Sequence, residues 1–314
     1  MVSSVEGGQP ASAVLEWLLE PSNPSARYLT LTRLLGRSPD DAEVIASQQA
    51  ICQVSPARDI LAAQYPQGFW MHPGIGFSPL YRATIWQILF LAQLGTARDS
   101  RIDRAVRHLF EVNQRDDGAF RASKEPGDTP ACLNGALLWA LETLGLHDAP
   151  AVRRAWSWLA QTVEDHGLAG TYADGNVCPW AAVKVLWAAS AVPAGQRHTA
   201  VERLSGMAAE LLLDGLPDGA RQAPEGSRAH AAQRFELTFP LAHTADLLQC
   251  LEVLTATGSG DDPRLEPARI WVADKMLPDG LWPLERTPTP QWTAYGAVGQ
   301  PNKWITLRAL SVGL

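Results

Sequence analysis

Six stretches of this chain are apolar almost all the way round and run into glycine or proline: "RYLTLTRLLG" (27–36), "YRATIWQILFLAQLG" (81–95), "CLNGALLWALETLG" (132–145), "CPWAAVKVLWAASAVP" (178–193), "HTADLLQCLEVLTATG" (243–258) and "KWITLRALSVGL" (303–314). A helix without a polar face must be covered on every side, and glycine or proline suits its C-terminal end. Six more polar segments alternate with them, at 11–20, 41–53, 100–113, 150–163, 198–213 and 264–276, with Arg and Glu spaced for one exposed face. The repeat is roughly 50 to 65 residues, enough for a helix pair and its loops. No stretch alternates with the period of a strand, so the fold class is all-α.

Six covered helices shielded by six amphipathic ones suit an (α/α)6 toroid, a double ring of inner and outer helices, with residues 1–314 as one domain. A solenoid is the competing arrangement, but it leaves apolar ends that need caps. The outer helices run into related turns: "PQGFW" (66–70), "DDGAF" (116–120), "DHGL" (165–168) and "DGLW" (279–282). Glycine supplies a positive φ, Asp bonds nearby backbone and the aromatic packs beneath, so the turn reads as a staple between outer and inner helices.

The hydrophobic share of 46% allows a large core, and a net charge of -7 argues against a phosphate-binding surface, which leaves nucleic acid out. The N-terminal "MVSSVEGGQP" lacks the basic and apolar regions of a secretory signal. No apolar run approaches the ~18 residues of a membrane helix. Cys52, Cys132, Cys178 and Cys250 lie far apart without a CxxC pair, as expected of reduced thiols in a cytoplasmic protein.

The Q-x-x-D-G-x-aromatic turn, carried by Gln114, Asp117, Gly118 and Phe120 and again by Asp279, Gly280 and Trp282, resembles that of the terpene cyclase and protein prenyltransferase superfamily. The phrases "CLNGALLWALETLG", "FPLAHTADLLQCLEVLTATG", "DDPRLEPA" and "PNKWITLRAL" resemble a bacterial group of prenyltransferase/squalene-oxidase-repeat proteins, from about residue 60 onward. The resemblance implies an α/α toroid and an apolar, often isoprenoid, substrate in its central cavity. The chain departs from the superfamily's chemistry: it has no D-x-D-D acid motif, no D-D-x-x-D and no D-x-C zinc pair. One fold hosts unrelated reactions, so the reaction has to be argued from the residues.

In a toroid the inner-helix starts of one polarity surround one mouth. Near those starts stand His243 and Asp246, three apart and therefore on one helix face, with Glu236 just before them. A buried Asp246 assisted by His243 is the acid/base couple that a cyclase without D-x-D-D needs, while a helix-end bond is the plainer role. Trp70, Tyr81, Trp86, Trp180, Phe235, Phe239, Trp292 and Trp304 fall at or before inner-helix starts and are the candidate substrate-binding set. Aromatic faces there attract a carbocation by about 0.5 to 2 kcal/mol each. Trp139 and Trp187, mid-helix, read as core.

Cys132 and Cys178 also open inner helices, with Asp128 and Asp174 four residues earlier. Zinc needs three or four such ligands, so a metal at Cys132 and Cys178 stands beside the alternative of no cofactor and two small core residues. Lys184, Lys303 and Arg82 are candidates for holding a diphosphate or carboxylate. Three functions follow: a non-standard cyclase of an isoprenoid or polyene, a zinc-dependent transferase or hydrolase, and a non-catalytic binding module. The expected partner is a hydrophobic small molecule, and a homodimer is left open.

Overall fold

The computed structural model describes residues 12–125, 127–168, 178–197, 199–216 and 233–314. Among them there is no β-strand, only isolated bridges such as Gln114 with Phe120. The helices are α1 (Ser12–Leu18), α2 (Pro24–Leu29), α3 (Ala42–Ile51), α4 (Ala57–Ala62), α5 (Thr84–Gln93), α6 (Ser100–Val112) and α7 (Ala131–Thr143). They continue with α8 (Pro150–His166), α9 (Pro179–Ala191), α10 (Thr199–Asp214), α11 (Leu247–Ala256), α12 (Glu266–Ala273) and α13 (Lys303–Ser311). Helix α2 runs straight into a π-helical turn, Thr30–Leu34.

Burial follows the sequence pattern. Every residue of α5 is buried, as a helix without a polar face requires. The partner helix α6 buries Ile102, Ala105, Val106 and Leu109, one stripe at helical spacing. Its start is fixed by Asp99, whose side chain accepts from the Arg101 and Ile102 N–H groups at 2.9 and 3.1 Å.

The apolar helices touch in sequence: α5 packs on α7, α7 on α9, α9 on α11, α11 on α13, and α13 on α2 and its π-turn. Helix α2 meets α5 through the Ser25 hydroxyl, which donates to the Leu94 carbonyl at 2.8 Å. The closest of these contacts is α7 on α9, where a Cβ on Gly135 lies 2.6 Å from the Lys184 carbonyl; only glycine fits. The amphipathic helices α3, α6, α8, α10 and α12 pack on α2, α5, α7, α9 and α11 respectively. Helix α1 meets α13 through Lys303, which donates to the Trp17 carbonyl and pairs with Glu20 at 2.8 Å.

The recurring turn does the same job in three places. Gln64 donates to the Gly68 and Arg101 carbonyls, and Gln114 to those of Gly118 and Ala151, so each glutamine ties its turn to the next amphipathic helix. The N–H groups of Trp70, Phe120 and Trp282 donate to Thr84, Asn134 and Thr306, one polar residue on each of three apolar helices. Gly118 has a φ of 102°, and a Cβ there stands 2.4 Å from the Arg154 carbonyl, which excludes any side chain. The "DHGL" turn is described through Leu168, where Gly167 closes α8 with a φ of 63°.

Candidate functional site

A cavity of about 370 Å³ lies among the apolar helices. Its wall comes mainly from their C-terminal halves: Trp139 and Thr143 of α7, Trp187, Ser190 and Ala191 of α9, Glu252, Val253, Thr255 and Ala256 of α11, and Leu307, Arg308 and Ser311 of α13 with Val312 after it. Leu29, Arg33, Gln93, Phe239, Leu241 and Trp304 complete it. Two aromatic pairs stand in this wall, Trp139 on Trp187 with ring centroids 4.1 Å apart and Phe239 on Trp304 at 4.8 Å and nearly parallel. Gln93 fixes the Phe239 segment, donating to the Leu241 carbonyl at 2.8 Å and accepting from its N–H at 2.7 Å.

The cavity lies mainly toward the C-terminal ends of the apolar helices and reaches helix starts only at Phe239, Leu241 and Trp304, whereas the sequence places the site at the starts. Those starts are filled: Lys184, Gln87, Asn134 and Gln249 are fully buried there. Lys184 donates to the Thr244 carbonyl at 3.2 Å and to Gln249 Oε1 at 2.9 Å, and burial lowers its pKa to about 7, with Cys132 and Asp246 opposing. Its ammonium is fully buried and also lies 4.6 Å from the Trp187 ring, which sets it apart from a solvent-facing diphosphate site. Lys303 is held by α1, and Arg82 stacks on the Trp292 ring at 3.9 Å.

Asp246 is the N-cap of α11 and is almost completely buried. Its Oδ1 accepts from the Gln249 N–H at 2.7 Å and Arg308 Nη2 at 2.9 Å; its Oδ2 accepts from the Thr238 N–H at 2.8 Å and Arg308 Nη1 at 3.3 Å. Four accepted bonds use the four acceptor positions of a carboxylate. Nothing is left to aim a proton at an alkene, and the bonding is that of a structural carboxylate rather than of the donor expected from the sequence. Arg308 also binds Glu252 at 2.8 Å and the Thr238 carbonyl at 2.8 Å. Burial pulls the Arg308 pKa down, but the two carboxylates outweigh it and hold it above its usual range.

The His243 Nδ1 lies 3.1 Å from the Tyr81 hydroxyl, and its ring stacks on that of Tyr81 and meets Trp86 edge-on. Tyr81 has a φ of 63°, a strained value for an aromatic residue, and burial raises its pKa. Glu236 faces Arg286 at 3.6 Å, and Arg286 reaches Thr244 at 3.4 Å. His243 and Glu236 are thus linked through Tyr81 and Arg286, while Asp246 is held by Arg308.

Of the eight candidate aromatics, Phe239 and Trp304 line the cavity. Trp70 belongs to the staple, donating to the Ile60 carbonyl at 2.7 Å, and Trp86 donates to the Phe77 carbonyl at 2.7 Å. Trp180 carries Arg234 over its ring at 5.1 Å, Phe235 packs edge-on against Trp271, and Trp292 donates to the Arg82 carbonyl at 3.0 Å. Trp139 and Trp187, taken from the sequence as core, are buried in the core and also form part of the cavity wall.

Cys132 and Cys178 meet, the Cys132 thiol donating to Cys178. That bond, opposed by burial and aided by the Ala181 and Trp180 N–H groups at the start of α9, brings Cys178 down to about 6, while Cys132 is pushed well up. Among the described residues no three His, Cys, Asp or Glu side chains form a metal-binding group, and Asp174 lies outside those residues. The two cysteines supply two of the three or four ligands that zinc requires.

The charged residues on the wall were missed: Arg33, Glu252 and Arg308. Each is the lone ionisable side chain inside an apolar run, "LTRLLG", "LEVLTATG" and "ITLRALSVGL", and that contrast is the signal for them.

Neither a protein-family model nor a curated protein matches the sequence. Among solved structures the chain is similar to a protein from Actinoplanes at 16% identity, covering 82% of this chain and 96% of that one with a TM-score of 0.34. It is also similar to the type II terpene cyclase MstE from Scytonema in complex with geranylgeranyl dihydroxybenzoate, at 14% identity over 96% and 97% of the two chains with a TM-score of 0.34. The same cyclase with its product, merosterolic acid A, gives 14% identity, the same coverage and a TM-score of 0.31. No described helix is long and apolar enough to cross a membrane.

Proposed function

We propose that the chain is a terpene-cyclase-like (α/α)6 toroid, one domain over residues 1–314, that encloses a hydrophobic isoprenoid or polyene in its central cavity. What carries the reading is the cavity itself: about 370 Å³, bounded by all six apolar helices and walled by two aromatic pairs. Ligand sites of this kind run from about 300 to 1,000 Å³ and are mostly apolar with a few placed polar groups. The cycle of contacts from α2 through α5, α7, α9, α11 and α13 back to α2 supports the ring over the solenoid. A cytoplasmic site of action belongs to the same reading.

The aromatic pairs also favour cyclisation as the use of the enclosed molecule, because π faces stabilise a carbocation. Glu252 is the carboxyl group on that wall among the described residues, and it replaces Asp246 as the group to test.

Binding of farnesol and squalene, followed by native mass spectrometry and tryptophan fluorescence, tests the enclosure. One molecule per chain is expected for at least one of them, with loss in Ser190→Trp, which fills the cavity. Failure of both to bind, or unchanged binding in Ser190→Trp, overturns it. Gas chromatography of the bound polyene tests cyclisation: a new hydrocarbon or alcohol made by the parent and not by Glu252→Gln is expected, and recovery of unchanged polyene removes that step.

A further inference from the structure

We infer that the enclosed molecule carries an anionic head group, a carboxylate or a phosphate, and that Arg33 receives it. The inference rests on the enclosure reading above and adds the chemistry of the ligand's polar end. Arg33 lines the cavity and keeps solvent-accessible surface. Among the described residues its side chain makes no hydrogen bond and no ion pair, whereas Arg308 on the same wall is bound by Asp246, Glu252 and the Thr238 carbonyl. A guanidinium has five N–H donors in a planar fork that matches a carboxylate or phosphate, and those of Arg33 are not taken up by a described protein group.

The backbone beneath Arg33 gives a second, independent sign. Arg33 sits in the π-helical turn Thr30–Leu34, the one such turn among the described residues. π-Turns are rare and collect at functional sites, because they carry an extra residue that re-aims a side chain. The surrounding charges leave the role open to a ligand. Burial lowers the Arg33 pKa, and Glu252 and Tyr28 oppose that through space, but Glu252 is already in contact with Arg308 at 2.8 Å. The apolar wall formed by Trp139, Trp187, Phe239 and Trp304 then takes the hydrocarbon end.

The test compares farnesol, farnesoic acid and farnesyl phosphate, which share one chain and differ in the head. Dissociation constants are measured by tryptophan fluorescence on the parent, Arg33→Gln and Arg33→Lys. In the parent, at least one of the two anions is expected to bind about 10- to 100-fold more tightly than farnesol, the range of one charge-assisted bond. Arg33→Gln is expected to remove that preference while leaving farnesol affinity unchanged, and Arg33→Lys to restore part of it. Because Arg33 makes no internal bond, the melting temperature of Arg33→Gln should be unchanged or higher, which separates loss of the receptor from loss of the fold. Which anion is preferred distinguishes carboxylate from phosphate. Equal binding of alcohol and anions to the parent overturns the inference and leaves the enclosure standing, as does an equal loss of all three in Arg33→Gln. Binding of none of the three overturns the inference, and overturns the enclosure as well if squalene also fails to bind.

Discussion

Asp246→Ala is the substitution whose cost the structure defines most closely. It removes an N-cap, worth about 1 kcal/mol, and leaves the buried Thr238 N–H without its acceptor, about 1 to 3 kcal/mol. It also takes one of two carboxylates from a guanidinium that is 6% exposed. Breaking a buried pair from one side costs about 3 to 5 kcal/mol. These contributions share the same atoms and do not add, so the net expectation is about 3 to 5 kcal/mol, with Glu252 and the Thr238 carbonyl still holding Arg308. Asp246→Asn keeps an acceptor for the cap and should cost about half as much. The assay is urea unfolding followed by tryptophan fluorescence and far-ultraviolet circular dichroism, with the denaturant slope checked for constancy. In a cycle with Arg308→Met the coupling energy should exceed about 1 kcal/mol, since the two residues are in contact. A cost below about 1 kcal/mol for Asp246→Ala, or an additive cycle, refutes the structural role. A catalytic acid behaves differently: Asp246→Asn then abolishes turnover at unchanged stability.

Three further outcomes follow from single residues. Gly118→Ala meets the Arg154 carbonyl at 2.4 Å with a φ of 102° and should lower stability by about 2 kcal/mol or more in the same assay, whereas Gly127→Ala, with nothing within 4 Å, should cost only its left-handed φ of 80°. Cys178 should be alkylated by iodoacetamide with a rate that rises through pH about 6, because the thiolate is the nucleophile, and Cys132→Ala, which removes the donor, should move that midpoint upward; an unmoved midpoint contradicts the thiol pair. Lys184, at about 7 in the folded chain against 10.5 as its ordinary value, binds fewer protons folded than unfolded between those values. Stability should therefore rise with pH from about 7 toward 10, and Lys184→Met should flatten that slope; an equal slope in the variant refutes the assignment.

The helical plan was legible because it depends on local pattern. All-round apolarity in 81–95 and one-sided apolarity in 100–113 correspond to the fully buried α5 and the one-stripe α6. The glycine-aromatic turn was equally legible, since Gly118 needs its φ whatever the rest of the chain does. The site was harder to read because it depends on which residues meet at a distance. Asp246 looks like a free acid until Arg308, 62 positions later, closes on it. Trp139 and Trp187 look like core because burial alone does not separate a wall from a filled interior. Their position near the C-terminal ends of α7 and α9 makes the difference, and the starts of those helices are plugged by Lys184 and Asn134. Cys132 and Cys178 do meet, but the number of further ligands around them is a fact of three dimensions. A fuller reading was available in one respect: a single Arg or Glu in an apolar helix must face a partner or a cavity, and Arg33, Glu252 and Arg308 each meet that condition.

The most direct measurement is a crystal structure of the protein soaked with a bromine-labelled farnesyl analogue, with the bromine located by its anomalous signal. The account predicts one bromine site per chain, between the Trp139–Trp187 pair and the Phe239–Trp304 pair. A bromine bound only on the outer surface, with the cavity empty or occupied by a shifted side chain, contradicts it.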